Sequence, residues 1–142
     1  TPELMPFITV WKTDSTDNTI TIPVDSKYTY NYTVDWGDGN IDKSIADSKT
    51  HTYGTTGKHT VKISGDFPHL QVQDKKQLQL VTQWGDVAWK SFTSSFAQCS
   101  NFDVNAIDTP DLINVNSTAN MFKSATKLKG NKYFNDWDVS SV

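Results

Sequence analysis

The first half of the chain alternates apolar and polar positions with a period of two, which is the pattern of half-buried β-strands. Its longest run covers residues 28–36, where large apolar side chains occupy every even position: Tyr28, Tyr30, Tyr32, Val34 and Trp36. These side chains are predicted to lie on one face of a sheet. Shorter strands are predicted at 7–11, 19–22 and 59–63, and residues 37–40 form a GDGN turn. Short strands without a helical period between them predict a small antiparallel sandwich.

The second half has a different pattern, in which residues recur at an interval of about 26 positions. It begins with one more predicted strand, at Leu78, Leu80 and Val81. A shift of 26 aligns five pairs: Trp89 with Val115, Phe92 with Thr118, Phe96 with Phe122, Cys99 with Ala125, and Phe102 with Leu128. A shift of 27 then aligns Asp111-Leu112 with Asp138-Val139 and Val115 with Val142. Each copy is predicted to hold a short strand, a short helical piece and a return loop, and the period lies within the leucine-rich-repeat range.

The repeats also bear on the extent of the chain. A solenoid repeat buries its apolar face only against a neighbouring repeat. The sequence ends at Val142, where the next copy should begin its helical piece. We therefore expect a truncated stack of about two to three copies within a longer protein.

Several phrases of the first half resemble the signature of PKD-like (polycystic-kidney-disease-type) immunoglobulin-like domains. Residues 34–39 read VDWGDG, residues 50–53 read THTY, and residues 57–63 read GKHTVKI. The resemblance implies an immunoglobulin-like (PKD-like) β-sandwich over residues 1–70.

The second half resembles the BspA-like leucine-rich surface repeats, in which the phrase NWDVSNV recurs once per repeat. Here residues 121–125 read MFKSA and residues 136–142 read DWDVSSV. The resemblance implies that residues 71–142 are the start of a leucine-rich-repeat solenoid. Together the two resemblances cover nearly the whole chain, and the combination is similar to surface proteins and lipoproteins of low-GC and host-associated bacteria.

Composition narrows the functional classes. The 142 residues allow one ordinary domain or two small ones, and they include 13 Lys, no Arg, 15 Asp and one Glu, for a net charge of −3. Without Arg and with net negative charge, the chain lacks the electrostatic footprint of a nucleic-acid-binding protein. No apolar run approaches a membrane span, and no signal peptide is recognisable, so the start at Thr1-Pro2 is expected to be a mature or trimmed terminus.

Four aspartates, Asp35, Asp38, Asp42 and Asp47, raise the question of calcium, because hard cations bind several carboxylate oxygens. Their spacing does not fit an EF-hand loop. The alternative is structural: Asp38 would shape the turn through bonds to the backbone, and Asp35 would lie on the polar face, bonded to His51 or Thr52. We favour the structural interpretation and assign no metal ligand.

The histidines and the one cysteine are the other candidates for chemistry. His59 is predicted to be partly buried because it shares a face with Val61. His51 is expected to pack or to form a hydrogen bond in the sandwich, and His69 falls in no ligand spacing. No Gly-x-Ser-x-Gly nucleophile elbow is present. Cys99 is expected to be a small buried residue, because its counterpart one repeat later is Ala125. No catalytic or cofactor-binding residue is assigned, and no enzyme activity is expected.

Aromatic residues and sequons complete the candidates. The tryptophans are Trp11, Trp36, Trp84, Trp89 and Trp137. Core packing is expected for Trp11 and Trp36, whereas Trp84, Trp89 and Trp137 are expected inside the fold or at the junction between the two modules. Any exposed tryptophan would be the leading ligand contact. Asn31-Tyr32-Thr33 and Asn116-Ser117-Thr118 match the N-glycosylation sequon, a motif that is common by chance in a chain this rich in Asn and Thr.

These observations lead us to expect a non-catalytic adhesion or interaction module of the bacterial cell surface or extracellular space. The repeat face would recognise a protein or glycan on a host or neighbouring cell, and the sandwich would serve as a rigid spacer. One alternative is a structural subunit of a surface fibre or filament, which self-associates through the repeat end. Another is a carbohydrate-binding accessory module with a row of solvent-facing aromatics. No cofactor is expected, and the ligand-binding residues are not assigned.

Overall fold

Eight β-strands and one short 3-10 helix form the regular structure of the described residues, 5–72 and 74–137, in this computed structural model. The strands are β1 (Phe7–Thr13), β2 (Thr19–Ile22), β3 (Asn31–Asp35), β4 (Ile41–Ile45), β5 (Lys49–Thr52), β6 (Gly57–Asp66), β7 (Leu78–Gln83) and β8 (Asp103–Val104), and the 3-10 helix is Lys132–Asp136. The prediction of a mainly β chain is confirmed.

Six of the strands form one mixed sheet in the order β4-β3-β6-β1-β7-β8. All neighbours are antiparallel except β7 and β8, which are parallel. In β1 the alternation separates two faces: Phe7 and Trp11 are buried, whereas Lys12 is exposed. Trp11 lies opposite His59 of β6 and Phe7 lies opposite Ile63, so the large side chains of β1 and β6 share the inner face.

A second sheet of two strands, β2 and β5, contributes to the same core. Ile20 and Ile22 of β2 are fully buried and belong to one hydrophobic cluster with the inner-face residues of the larger sheet. The predicted run at 28–36 is a strand only over Asn31–Asp35, yet its even positions from Tyr30 to Trp36 are buried as the alternation predicted.

The prediction of a short helix in each repeat is wrong. Both segments are successions of turns, and in each of them two residues four positions apart have positive φ. Ser94 and Gln98 have φ of 55° and 61°, and their counterparts 26 positions later, Asn120 and Ser124, have φ of 56° and 59°. An α-helix cannot pass through a left-handed residue at every fourth position. We call residues 91–102 the first coil and residues 117–128 the second coil.

The two coils are stacked through a ladder of backbone hydrogen bonds. Four N–H groups of the first coil donate to four carbonyls of the second: Phe92 to Ser117, Ser94 to Ala119, Phe96 to Met121, and Gln98 to Lys123. The internal turns repeat as well, since Cys99 N–H donates to Phe96 O and Ala125 N–H donates to Phe122 O. Residues 26 apart therefore occupy the same place in successive coils.

The sheet and the core run across the predicted division at residues 70/71. That division lies between β6 and β7, and β7 pairs with β1 on one side and with β8 on the other. The segment after it is already part of the ladder, because the N–H groups of Val72 and Asp74 donate to Ser95 O and Ala97 O of the first coil. The division of the sequence into two modules, residues 1–70 and 71–142, stays a prediction.

Candidate functional site

The turn between β3 and β4 brings together residues of the phrases VDWGDG and THTY, on which the PKD-like resemblance was based. Asp38 Oδ1 accepts from Asn40 N–H at 3.1 Å, and Asp38 Oδ2 lies 2.7 Å from His51 Nε2. The His51 ring stacks on Trp36 with centroids 4.8 Å apart. Burial raises the pKa of Asp38, but hydrogen bonds from His51 and Asn40 outweigh it and bring the pKa below its ordinary value. Asp38 therefore shapes the turn.

The other aspartates of this region have separate partners. Asp35 Oδ1 accepts from Gly37 N–H at 3.0 Å, so the expected bond from Asp35 to His51 or Thr52 is wrong, and Asp38 holds His51 instead. Asp42 Oδ2 accepts from Trp36 Nε1 at 2.8 Å. Within residues 5–72 and 74–137, no three His, Cys, Asp or Glu side chains converge in a group that could hold a metal ion. The cluster acts as a set of turn and strand contacts.

His59 lies on the buried face of β6, as its alternation with Val61 predicted. It is 9% exposed, its Nε2 lies 2.9 Å from Thr13 Oγ1, and its ring stacks on Tyr53 with centroids 3.7 Å apart. Tyr53 donates to Trp36 O at 2.8 Å, and burial raises the pKa of this hydroxyl. These groups extend the packed aromatic core of the sheet.

His69 has a structural role that its sequence position did not suggest. It is 1% exposed, its Nδ1 lies 3.1 Å from Asp25 Oδ2, and its Nε2 lies 2.8 Å from Thr93 O. Because a carbonyl oxygen only accepts, Nε2 carries a hydrogen. Two other carbonyls of the first coil, Ser95 O and Ala97 O, accept hydrogen bonds from backbone N–H groups of the preceding segment. The His69 side chain supplies the corresponding hydrogen bond to Thr93 O.

Asp25, the other partner of His69, is anchored in its own loop. The Lys27 N–H holds the pKa of Asp25 below its ordinary value, and the His69 side chain adds to this effect. Tyr30 O–H donates to His69 O, and burial raises the pKa of this hydroxyl to about 12. The β2–β3 loop, the segment after β6 and the first coil are tied together here, at a point where no local sequence spacing could reveal the contact.

Cys99 is buried, whereas the asparagines of the two sequons are exposed. Cys99 is fully buried in the first coil, and burial raises the pKa of its thiol. Asn31 and Asn116, the first residues of the two sequons, are both exposed. Four tryptophans, Trp11, Trp36, Trp84 and Trp89, are at most 1% exposed, which agrees with core packing. The fifth, Trp137, is half-buried, and its ring packs edge-on against Trp84 with centroids 5.3 Å apart.

The outer side of the second coil is the best candidate for a binding surface. A depression of about 420 Å³ is lined by Thr118, Asn120, Met121, Phe122, Lys123 and Trp137. We call this surface the open end of the stack. The backbone N–H groups of Thr118, Asn120, Phe122 and Ser124 have no hydrogen-bond partner among the described residues. They are the counterparts of the four N–H groups that join the first coil to the second.

The comparisons with known proteins add no relative. No protein-family model matches the chain, no curated protein matches it, and no solved structure matches it. Among the described residues, no helix has both the length and the apolar character needed to cross a membrane.

Proposed function

We propose that this chain is a non-catalytic interaction module of the bacterial cell surface or extracellular space, and that it binds a polypeptide partner at the open end of the stack. The finer fold assignment belongs to the same proposal: an immunoglobulin-like sandwich that carries the start of a leucine-rich-repeat solenoid. The offset-26 coils and the Trp36–Asp38–His51 turn support that assignment. The six-stranded sheet supplies a rigid base for the coils.

The observation that carries the proposal is the row of four outward N–H groups beside the half-buried Phe122 and Trp137 rings. Backbone donors that no described residue pairs form a template along one edge for another polypeptide, whose carbonyls complete the ladder. The apolar lining then offers a place for the partner's side chains. A polypeptide with exposed backbone carbonyls is therefore the partner that this surface suits.

The fibre alternative requires the same surface to bind a second copy of the chain. The four backbone bonds that join the two coils all run in one direction, from an N–H of the first coil to a carbonyl of the second. Two open ends that meet face to face would oppose donors to donors, which cannot pair. The carbonyls of the first coil that point away from the open end already accept from His69, Val72 and Asp74, so they are not free for a second copy. Both routes to an end-to-end fibre are therefore disfavoured.

The other alternative, a carbohydrate-binding accessory module with a row of solvent-facing aromatics, has less support than the polypeptide-binding module. It requires a row of solvent-facing rings, whereas Trp11, Trp36, Trp84 and Trp89 are buried and Trp137 packs against Trp84. The half-buried Trp137 does not make a row.

The test is binding of the purified chain to a panel of extracellular-matrix and bacterial surface proteins, measured by biolayer interferometry. The variant Asn120→Asp/Lys123→Glu alters two exposed residues of the open end. The control Asn105→Asp/Lys43→Glu alters two exposed residues elsewhere and changes the net charge equally. We expect the open-end variant to lose most of the binding and the control to retain it. Equal binding by both variants, or no binding by the wild-type chain, would contradict the proposal.

Self-association is measured on the same samples by sedimentation velocity over a concentration series, with and without calcium. We expect a monomer that does not respond to calcium. Concentration-dependent assembly that disappears in the open-end variant would favour the fibre subunit instead.

A further inference from the structure

A second concave surface lies away from the open end, beside the start of β7. It is a groove of about 360 Å³ whose lining is entirely polar or charged: Lys12, Asp14, Lys76, Gln77, Gln79, Asn101 and Lys127. Lys12 lies near the end of β1, Gln79 lies in β7, and Lys127 lies in the second coil. Three ammonium groups thus face one carboxylate in a chain whose net charge is −3.

No carboxylate among the described residues forms an ion pair with the lysines of this groove. Both ion pairs among the described residues join a histidine to an aspartate, so no described lysine has a carboxylate oxygen within 4.0 Å. The Oδ1 atom of Asp14 already accepts from Thr16 N–H, Thr16 O–H and Asp17 N–H. The ammonium groups of Lys12, Lys76 and Lys127 therefore remain available to an external anion.

The stacking of the coils spaces the groove's polar groups along one line. Asn101 of the first coil and Lys127 of the second are 26 positions apart and occupy equivalent places, and Asn101 Nδ2 donates to Lys76 O of the preceding segment at 3.2 Å. Lysines therefore flank Asn101 on both sides. Because hydrogen-bonded strands lie about 4.8 Å apart, the backbones at Lys76 and Lys127 are separated by on the order of 10 Å. A ligand with charges at intervals along its length can contact both lysines.

We propose that this groove binds an acidic oligosaccharide that bears carboxylate or sulfate groups, at a site separate from the open end. The ammonium groups would contact the anionic groups. The side-chain amide oxygens of Gln77, Gln79 and Asn101 would accept from sugar hydroxyls, since their NH2 groups already donate within the protein. An acidic peptide is the poorer fit. Peptide recognition relies on apolar pockets, an unpaired strand edge or, for acidic motifs, a cluster of Arg side chains. None of the seven lining side chains is apolar, and the chain contains no Arg.

The test uses the full chain with three probes, each measured by isothermal titration calorimetry at low and at physiological salt: a heparin oligosaccharide, a hyaluronan oligosaccharide and a poly-aspartate peptide of similar charge. The groove variant is Lys12→Gln/Lys76→Gln/Lys127→Gln. The matched control is Lys27→Gln/Lys43→Gln/Lys90→Gln, which removes the same charge from exposed residues that do not line the groove. Thermal unfolding of both variants establishes that they are folded.

We expect at least one of the two oligosaccharides to bind the wild-type chain and the control. Binding to the groove variant should be about tenfold weaker or worse, because each lost charged hydrogen bond removes on that order of affinity. Affinity should fall as salt rises. Equal weakening in both triple variants would show a general charge effect and overturn the proposal. So would a poly-aspartate affinity that equals or exceeds that of the sugars, or a wild-type chain that binds neither sugar at low salt.

Discussion

The rings of Phe96 and Phe122 lie face to face, with their centroids 5.7 Å apart and their planes inclined by 11°. Phe102 lies parallel to Phe96 at 4.5 Å, and Phe134 continues the row beyond Phe122 at 6.0 Å. These stacked rings hold the two coils together through side-chain packing, and the ladder holds them together through backbone hydrogen bonds. Phe96 is fully buried among these rings, whereas Phe122 lies at the open end and is half-buried.

The difference in burial sets the first prediction. Phe96→Ala should lower the free energy of unfolding by about 3–5 kcal/mol, since it leaves a cavity between packed rings. Phe122→Ala should lower it by roughly 1–2 kcal/mol, since part of that side chain is already in water. Urea denaturation at neutral pH measures both values. An equal or larger loss for Phe122→Ala would show that the second coil is buried by a contact outside the described residues.

The second prediction compares two glycines of the β3–β4 turn, both in the left-handed region. Gly37 has φ of 82°, and a Cβ there would collide with the carbonyl oxygen of Thr60. Gly39 has φ of 93°, and a Cβ there would meet no atom within 4 Å. Gly39→Ala should cost about 1–2 kcal/mol for the backbone conformation alone. Gly37→Ala should cost clearly more, because the β3–β6 backbone must also shift.

Thermal denaturation of the two glycine variants, measured side by side, checks this ordering. If Gly37→Ala were as stable as Gly39→Ala, the close approach of Gly37 to β6 would be wrong.

The third prediction concerns acid. Burial raises the pKa of Asp103, but N–H groups of Gly130, Lys129 and Val104 donate to its carboxylate and bring the pKa below its ordinary value. A carboxyl with a lowered pKa in the folded state stabilises the fold above its unfolded pKa of about 4, and this contribution is lost as the pH falls through the folded value. Asp103 joins β8 to the segment after the second coil, so that junction should weaken in acid.

The variant Asp103→Asn separates this effect from general acid denaturation. It should reduce the free energy of unfolding most at pH 7, and the difference from the wild-type chain should shrink towards pH 2. Denaturant titrations at several pH values measure this difference. A difference that stays constant with pH would argue that the Asp103 carboxylate does not contribute through its charge.

The fourth prediction concerns Cys99, whose buried thiol has a raised pKa. A thiol reagent such as DTNB should label it slowly in the native protein and rapidly in denaturant, because the reactive thiolate is scarce and inaccessible in the fold. Cys99→Ala should cost about 1 kcal/mol, since Ala125 occupies the equivalent place in the second coil. Fast stoichiometric labelling without denaturant would indicate that the first coil opens readily.

The sequence predicted best those parts of the fold in which burial alternates. Period two identified the buried even positions of residues 30–36 and the inward direction of His59, because a strand with one buried face leaves that pattern. It missed β4 and β5, whose side chains are exposed or half-buried, since a strand without a buried face leaves no alternation. The interval of 26 was visible in the sequence, but Phe-x-x-x-Phe spacing suggested helix where left-handed residues impose turns.

The candidate surfaces were harder to predict. The sequence indicated a repeat face without naming its residues, since the outward direction of the four N–H groups depends on backbone torsions that side-chain patterns do not encode. The contacts of His69 with Asp25 and Thr93 join residues far apart in the chain. The lysine groove likewise combines β1, β7 and both coils, so no linear motif could describe it.

The position of β7 between β1 and β8 determines how the molecule loses its structure. Because β7 is hydrogen-bonded to a strand from each half of the chain, neither half can melt without exposing an edge and part of the core of the other. A protein of two independently folding domains would give two heat-absorption peaks in calorimetry. This one should unfold cooperatively, in a single calorimetric transition, with β7 as the strand that couples its two ends.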